Sequence, residues 1–249
     1  MDAYPGRGAV KADDVPGRLL DWDSEFWGYR IALVEQFSES TLPVLDAWAF
    51  NHAIDCMYLR LDSGDFPTMH LAEVVGFRLM DIRMEFARAL SEVSETQEGA
   101  IRHARLEDIP ELILIARDAH TDSRFFADPR FPDSKCREFY ATWITNSVSG
   151  FADAVLVATV NQTIAGYVTG HFEGEAGRIG LIAVGDQFQN RRVGSSLTSS
   201  ILSIFAGAGL STGHVATQGS NRKAQRLYQR SGFSIDDVQL TFHRWFSHD

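Results

Sequence analysis

Apolar and polar positions alternate in short runs through the first part of the chain, up to about residue 88. The runs at residues 30–34, 56–61 and 77–86 have the length and pattern of β-strands. Residues 67–75 have a helical pattern between the last two of these runs. We predict from these elements a small first domain over residues 19–90.

After residue 100 the pattern predicts longer and more regular elements. Apolar residues recur at helical spacing over residues 107–119, at Ile109, Leu112, Ile113 and Ala116. Further helices are predicted at 136–147, 194–205 and 221–231. Strands are predicted at 100–104, 154–160, 163–172, 177–184 and 214–218, with a final strand pair at 233–246.

The order of these elements predicts the fold class. Gln162 lies in a short turn, which indicates that the strands on either side of it form a hairpin. Strands that are first antiparallel and then alternate with helices are typical of a mixed sheet. We therefore predict an α/β (α+β) domain over residues 100–249, with a central mixed, mostly antiparallel sheet flanked by helices.

Three segments are predicted to connect these domains or their elements. Residues 1–18 are rich in Gly, Pro and Asp and lack an apolar core, so we interpret them as a disordered leader. Residues 91–99 are acidic and polar and are predicted to be a linker. Residues 120–134 are predicted to be a long loop rich in phenylalanine, either functional or packed over a core.

Composition excludes several classes of protein. Hydrophobic residues make up 45% and charged residues 22% of the chain, which is ordinary for a soluble globular protein. No stretch approaches the roughly 20 apolar residues of a membrane helix. Cys56 and Cys136 provide neither a disulfide framework nor the spacing of metal ligands. We therefore expect a cytoplasmic protein without a metal site.

Charge is distributed unevenly along the chain. The net charge of −10 argues against a nucleic-acid partner. Yet residues 187–231 contain no Asp or Glu, while six basic residues fall there: Arg191, Arg192, Arg222, Lys223, Arg226 and Arg230. Such a stretch could be a run on solvated helix faces, but a basic surface on an acidic protein favours a small anionic ligand.

This basic stretch contains two segments with chemical potential. The first follows the apolar strand 179–184 and opens a helix at residues 189–197. Unpaired N–H groups and the helix dipole make such a helix start an anion site. The second places Asn221, Ala224 and Tyr228 on one face of the next helix, because residues three, four and seven apart align. Together they predict an enzyme that holds a phosphate-bearing cofactor beside a phenol.

Other known motifs are absent from the sequence. There is no G-x-x-x-x-G-K-[ST] sequence of a nucleotide P-loop. The run at residues 207–209 leaves a helix and enters a strand, which is the reverse of the dinucleotide fingerprint. A G-x-S-x-G elbow is missing, and the histidines do not have close metal-ligand spacing.

From residue 100 to residue 245 the chain resembles the GNAT N-acetyltransferase superfamily. The family motif Q/R-x-x-G-x-G/A is matched by residues 189–195, with Arg192 at the first Gly position and Ser195 at the final one. The other matches follow in family order: the strand Ile182-Ala183-Val184, then Asn221, Ala224, Tyr228 and Gly232-Phe233. Arg192 departs from the family, and a right-handed backbone there would tolerate the larger side chain.

This resemblance implies acetyl-CoA as the cofactor and gives roles to individual residues. The backbone of Ile182, Ala183 and Val184 would pair with the pantetheine arm. Asn221 would hydrogen-bond the cofactor, and Tyr228 would be the general acid. The remaining cofactor-binding residues are the helix start and its flank: Gln189, Arg191, Arg192, Val193, Gly194, Ser195, Ser196 and Ala224.

The chemistry of acyl transfer is consistent with a phenol as the acid. A thiol has an ordinary pKa of about 8.5 and a phenol of about 10, so the proton crosses a small gap. The acceptor amine must lose a proton, and Glu173, His171 and His214 are alternative bases. The sequence does not choose between them.

A narrower resemblance concerns the acceptor. Residues 20–28, together with Ser123-Arg124-Phe125, Asp128-Pro129-Arg130-Phe131 and the ending 242–245, are similar to TDP-fucosamine (dTDP-4-amino-4,6-dideoxygalactose) acetyltransferases. This implies a partial GNAT-like first domain, an aminosugar nucleotide as substrate, and a homodimer. Arg124 or Arg130 could bind the diphosphate or pair with Asp122, Asp128 or Asp133. His171 is included among the candidate substrate-binding residues.

Two other functions remain open at this point. The acceptor could be another small amine, such as an amino acid or an antibiotic. Alternatively, the protein could bind acyl-CoA without turnover, as a sensor, and Arg192 is the feature that favours this reading.

Overall fold

The structure, a computed structural model, describes residues 16–91 and 100–247. Most of the predicted leader and linker, residues 1–15 and 92–99, lies outside the described residues. The described chain forms two compact units, one within residues 1–83 and 238–249 and the other within 84–237. This division falls inside two strands rather than at residues 91–99. The domain bounds read from the sequence stay a prediction.

Within the described residues, the first unit contains strands of a sheet together with three helices. Its strands are β1 (Gly17–Leu19), β2 (Ile31–Val34) and β3 (Cys56–Asp62), with the end of β10 (Ser234–Trp245). Its helices are α1 (Asp21–Trp27), α2 (Leu42–Asn51) and α3 (Phe66–Val74). β1 and β2 are antiparallel, β2 and β3 are parallel, and β3 and β10 are antiparallel.

The core of the first unit corrects several sequence predictions. Helix α2 and strands β3 and β10 contribute to one buried cluster, which includes Leu45, Met57, Leu59 and Phe242. Neither α1 nor α2 was predicted, and β1 includes Gly17 and Arg18, which were placed in the leader. The predicted strand pair at residues 233–246 is wrong, because β10 runs without a turn from Ser234 to Trp245.

The second unit is a mixed sheet between helices. Its strands are the end of β4 (Arg78–Ala89), β5 (Ala100–His103), β6 (Ala154–Val160), β7 (Thr163–Glu173), β8 (Ala176–Val184) and β9 (Thr212–Gln218). Its helices are α4 (Ile109–Ala119), α5 (Arg124–Ala127), α6 (Asp133–Asn146), α7 (Val193–Gly207) and α8 (Arg222–Arg230). The predicted class is confirmed as a mixed α/β sheet flanked by helices.

Pairing within this sheet follows the predicted order. β5, β6, β7 and β8 are successively antiparallel, and β9 lies parallel to β8 with β4 on its other side. The predicted hairpin at Gln162 is confirmed, with positive φ at both Asn161 and Gln162. Gly232 follows the last residues of α8 with a φ of 82°, a left-handed backbone that glycine adopts readily after a helix.

Three glycines show how α7 packs on one face of this sheet. A Cβ atom at Gly177 would lie 2.3 Å from Phe205, and one at Gly213 would lie 2.8 Å from Leu202. Gly170 likewise approaches Phe205 at 2.7 Å. Because these three residues are glycines, the buried side of α7, which includes Leu197, packs close to the strands. Helix α4 contacts β7 and β8.

Among the helices of the described residues, none has both the length and the apolar character needed to cross a membrane.

Candidate active site

The strands β8 and β9 separate part-way along their length. Their parallel pairing runs from Ala176 opposite Thr212 to Ile179 opposite Val215 and stops there. Both strands nevertheless continue, β8 to Val184 and β9 to Gln218. Backbone N–H and C=O groups of β8 beyond Ile179 that face β9 are therefore not bonded to it, and they can pair with an extended ligand.

The other edge of β8 is held firmly by β7. Gly166 lies opposite Val184, and a Cβ atom at Gly166 would lie only 2.5 Å from the carbonyl oxygen of Ala183. The register shifts between Val168 and Gly170, where the Leu181 N–H donates to Thr169 Oγ1 at 2.8 Å. This bulge lies next to the point at which β8 leaves β9, and bulges bend strands.

The start of α7 lies just beyond the end of β8. Arg192 is the N-cap, and no side chain caps the helix there within the described residues. The Ser196 N–H donates to the Arg192 carbonyl at 3.0 Å, so it makes the first bond of the helix. The N–H groups of Val193, Gly194 and Ser195, three of the predicted cofactor-binding residues, precede that bond in the chain. They are the orphan donors that a pyrophosphate can accept from.

Arg192 has a left-handed backbone, with φ of 60° and ψ of 6°. The right-handed conformation expected from the sequence is wrong. Glycine adopts this left-handed conformation without steric cost, whereas a residue with a Cβ atom is strained by about 1–2 kcal/mol. The loop therefore keeps the backbone path that a glycine would take, and the Arg192 side chain is exposed.

Replacing Arg192 should show this strain directly. We expect Arg192→Gly to raise the free energy of unfolding, by up to about 1 kcal/mol, because the strain is relieved. Arg191→Gly is the control, since Arg191 is also exposed but is absent from the positive-φ residues. Urea unfolding of the two variants measures the difference. Equal effects from both would show that residue 192 is not strained.

The two segments predicted to act together are in contact. Lys223 Nζ donates to Gln189 Oε1 at 3.1 Å, and Gln189 Nε2 donates to Asp186 Oδ1 at 2.7 Å. A Cβ atom at Gly194 would lie 3.2 Å from Leu227, so α7 starts directly against α8. Arg191 lies over the ring of Phe188. The loop before α7 is thus fixed to α8, with basic side chains around it.

Helix α8 begins with a side-chain cap and buries its tyrosine. Asn221 Oδ1 accepts a hydrogen bond from the Ala224 N–H at 3.0 Å. The side-chain oxygen of this predicted cofactor-binding residue therefore caps α8. Tyr228 is 2% exposed and packs against Phe86 and Phe233, with ring centroids 5.7 and 5.9 Å away. Burial raises the pKa of the Tyr228 phenol above its ordinary value of 10, so it keeps its proton at neutral pH.

Residues 111–233, which include the forked strands, the α7 start and α8, match the Acetyltransferase (GNAT) family. This chain carries a GNAT acetyltransferase domain. Acetyl-CoA is the acyl donor of that family.

Solved structures support the GNAT fold. The chain superimposes on a GCN5-related N-acetyltransferase from Sphaerobacter thermophilus with a TM-score of 0.66 and 15% identity, covering 92% of this chain and 76% of that one. A functionally unknown conserved protein from Staphylococcus epidermidis matches with a TM-score of 0.65 and 15% identity, covering 97% and 95%.

A curated relative is also similar to part of this chain. The chain is 29% identical over 138 residues to the spore coat polysaccharide biosynthesis protein SpsD of Bacillus subtilis (strain 168). That match covers 55% of this chain and 48% of the relative. The match thus spans about half the length of that relative.

The loop before α6 of the GNAT domain is packed rather than open. Phe125 lies 5.5 Å from Phe131 and 4.7 Å from Phe139, measured between ring centroids. These rings are buried, as are three polar residues predicted to bind substrate: Ser123, Arg124 and Asp128. Arg130 is exposed, and its N–H donates to Asp128 Oδ1 at 3.1 Å. Arg130 is therefore more exposed to solvent than Arg124.

The three alternative bases lie on the two strands that flank β8, with His171 and Glu173 on β7 and His214 on β9. Glu173 pairs with Arg178, with Nε to Oε2 at 2.9 Å, and Arg178 also reaches Glu85 at 3.4 Å. His214 is bonded to Thr212 at 3.2 Å. Burial lowers the pKa of His171, so its imidazole is neutral at pH 7.

Sequence reasoning missed several polar and glycine residues of this domain. Arg178 and Gly180 alternate with Gly177 and Ile179, so they lie on the face of β8 that is opposite α7. The period of a strand is visible in the sequence, but its face was not assigned. His120, stacked on Tyr140 and bonded to the Tyr167 hydroxyl at 3.0 Å, was also missed.

Proposed function

We propose that the protein is a cytoplasmic acetyl-CoA-dependent N-acetyltransferase that acetylates the amine of a nucleotide-linked aminodeoxysugar, of the dTDP-4-amino-4,6-dideoxyhexose type. The observation on which this proposal rests is the fork between β8 and β9, followed by the start of α7, where no side chain of the described residues caps the helix. A strand edge and a helix start in succession suit the extended pantetheine arm and the pyrophosphate of acetyl-CoA. The proposal includes a homodimer, as the resemblance implies.

The donor half of this reaction is supported by the residues at the fork. Ile182, Ala183 and Val184 offer strand backbone, and Val193, Gly194 and Ser195 offer N–H groups. Arg191 and Lys223 add positive charge beside them, which favours an anionic ligand. Tyr228 retains its proton and can give it to the sulfur as the thiolate leaves.

The acceptor half is supported by resemblance. Residues 20–28 and 123–131 are similar to aminosugar-nucleotide acetyltransferases, and the relative from Bacillus subtilis is named for polysaccharide biosynthesis. A sugar amine linked to a nucleotide diphosphate is consistent with both. Arg130, exposed in the loop before α6, is the side chain that we propose contacts the diphosphate.

A thiol-release assay tests the proposal. Purified protein is given acetyl-CoA and a panel of amines that includes dTDP-linked 4-amino-4,6-dideoxyhexoses, other aminosugar nucleotides, amino acids and aminoglycosides. We expect turnover on the dTDP-aminosugars, with a kcat/KM at least about tenfold above that on any other amine.

Other outcomes of this assay point to other functions. Turnover on an amino acid or antibiotic alone would replace the acceptor and keep the acetyltransferase. Calorimetric binding of acetyl-CoA without thiol release on any amine would favour a sensor. The backbone of Arg192 already follows a glycine-like path, so that residue no longer favours the sensor.

A further inference from the structure

A row of polar side chains crosses the sheet on the face opposite α7. His171 on β7 lies opposite Arg178 on β8, and Arg178 lies opposite His214 on β9. Glu85 on β4 reaches Arg178 at 3.4 Å. All four side chains are half-buried, so this face of the sheet presents charged and imidazole groups that remain partly accessible to solvent.

The position of this row relative to the fork is defined by register. The last residues paired between β8 and β9 are Ile179 and Val215. Arg178 and His214 form the pair immediately before them. The strands part immediately after Ile179, at Gly180. Because a strand rises about 3.3 Å per residue, the row lies within roughly 7 Å of the fork.

Helix α7 covers one face of the sheet at the residues that precede the fork. Gly170, Gly177 and Gly213 are in van der Waals contact distance of α7, with no room for even a methyl group. An acceptor that approaches a thioester held between β8 and β9 must therefore come from the opposite face. That is the face that carries the polar row.

The His171 ring is the member of this row closest to the fork. A Cβ atom at Gly180 would lie 2.8 Å from His171 Nε2, so the imidazole lies directly over the Gly180 backbone. The ring is half-buried, and Phe151 packs against it at 5.3 Å between centroids. The absence of a side chain at residue 180 is what gives the imidazole this place.

We propose that His171 is the general base that takes the proton from the acceptor amine. This assignment rests on the proposed acetyl transfer. The neutral amine attacks the thioester carbonyl carbon, and a C–N bond forms. Its nitrogen gives a proton to His171 Nε2, the C–S bond breaks with its electron pair on sulfur, and the sulfur takes a proton from Tyr228. An amide and a free thiol result, and solvent restores both side chains.

The other alternative bases are less well placed. Glu173 lies opposite Ala176, about four residues of strand or roughly 13 Å from Gly180, and it is paired with Arg178. His214 lies opposite Arg178 and is bonded to Thr212. Of the three alternative bases, His171 is the one whose ring contacts Gly180, the residue at which the strands part.

Burial is the largest influence on the pKa of His171 and lowers it. Asp153 before β6 and Glu173 on β7 raise the pKa, and Arg178 on β8 lowers it further. The net effect is a pKa below the ordinary 6.5. A base with this pKa is neutral and active above it, so kcat should fall as the pH drops through a midpoint below 6.5.

Steady-state kinetics with an amine that the wild type acetylates tests the assignment. His171→Gln should lower kcat by about 100-fold or more, leave the KM for acetyl-CoA within about threefold, and abolish the acidic limb of the pH profile. His171→Ala should regain activity when imidazole is added. The control His103→Gln, the same change at an exposed histidine at the end of β5, should keep kcat and the acidic limb.

A second variant tests the location without changing an ionisable group. Gly180→Ala places a methyl group where the imidazole lies, so kcat should fall while the KM for acetyl-CoA is kept. An active His171→Gln with an unchanged acidic limb would overturn the assignment and leave acetyl transfer standing. A wild type that releases no thiol with any amine would overturn the proposed function, and this base with it.

Discussion

Tyr228→Phe should lower kcat for acetyl transfer by about 100-fold or more, with less than about a threefold change in the dissociation constant of acetyl-CoA. The substitution removes only the hydroxyl group. The ring keeps its contacts with Phe86 and Phe233, so the core around it should remain intact. Rapid-quench or steady-state thiol release measures kcat, and calorimetry measures acetyl-CoA binding.

The pKa of Tyr228 sharpens this expectation. Because burial raises it above 10, the phenol stays protonated across the neutral range and an alkaline limb from its ionisation should appear only above pH 10. A proton that moves from Tyr228 to a thiolate, whose thiol has an ordinary pKa of about 8.5, therefore crosses a larger pKa gap than it would from an unperturbed phenol. Tyr140→Phe, at another buried tyrosine, is the matched control and should keep kcat within about threefold. Equal turnover of Tyr228→Phe and wild type would remove Tyr228 from the mechanism.

Gly166→Ala should damage both stability and cofactor binding. The new Cβ atom would lie 2.5 Å from the Ala183 carbonyl oxygen and 3.1 Å from Val184 Cα, and backbone atoms cannot move aside as a side chain can. We expect the free energy of unfolding to fall by about 1–3 kcal/mol. Acetyl-CoA should bind more weakly, because the displaced segment is the edge proposed to hold the pantetheine arm.

Gly207→Ala is the control for this experiment. A Cβ atom at Gly207 meets nothing within 4 Å, and the residue lies at the end of α7, where alanine is the better helix former. Its stability should be equal to that of the wild type or higher. Denaturant unfolding and calorimetry compare the two variants. If Gly166→Ala matches Gly207→Ala in both measurements, the close approach of β7 to β8 is not required.

Much of the second unit could be predicted from local pattern. The helix and strand periods located α4, α7, α8 and the β6–β7 hairpin, because amphipathic spacing is a property of neighbouring residues. The first unit was predicted less well. α1 and α2 were missed, and β10 was interpreted as two strands, although it pairs with β3 over seven residues.

In the candidate site too, the sequence predicted the features that depend on neighbouring residues. The sequence alone determined that a strand, a turn and a helix start come in succession at residues 179–197, and that Asn221 and Tyr228 share a helix face. It also determined the family resemblance that named acetyl-CoA. These properties depend on residues that are close along the chain.

Only the tertiary structure decided the remaining features. The parting of β8 and β9 after Ile179, the left-handed backbone of Arg192 and the place of the His171 ring over Gly180 all depend on neighbours far away in sequence. Register and face are set by pairing and packing, and a shift of one residue reverses every side chain of a strand. Three alternative bases were equivalent in the sequence, and strand pairing is the basis on which we propose His171.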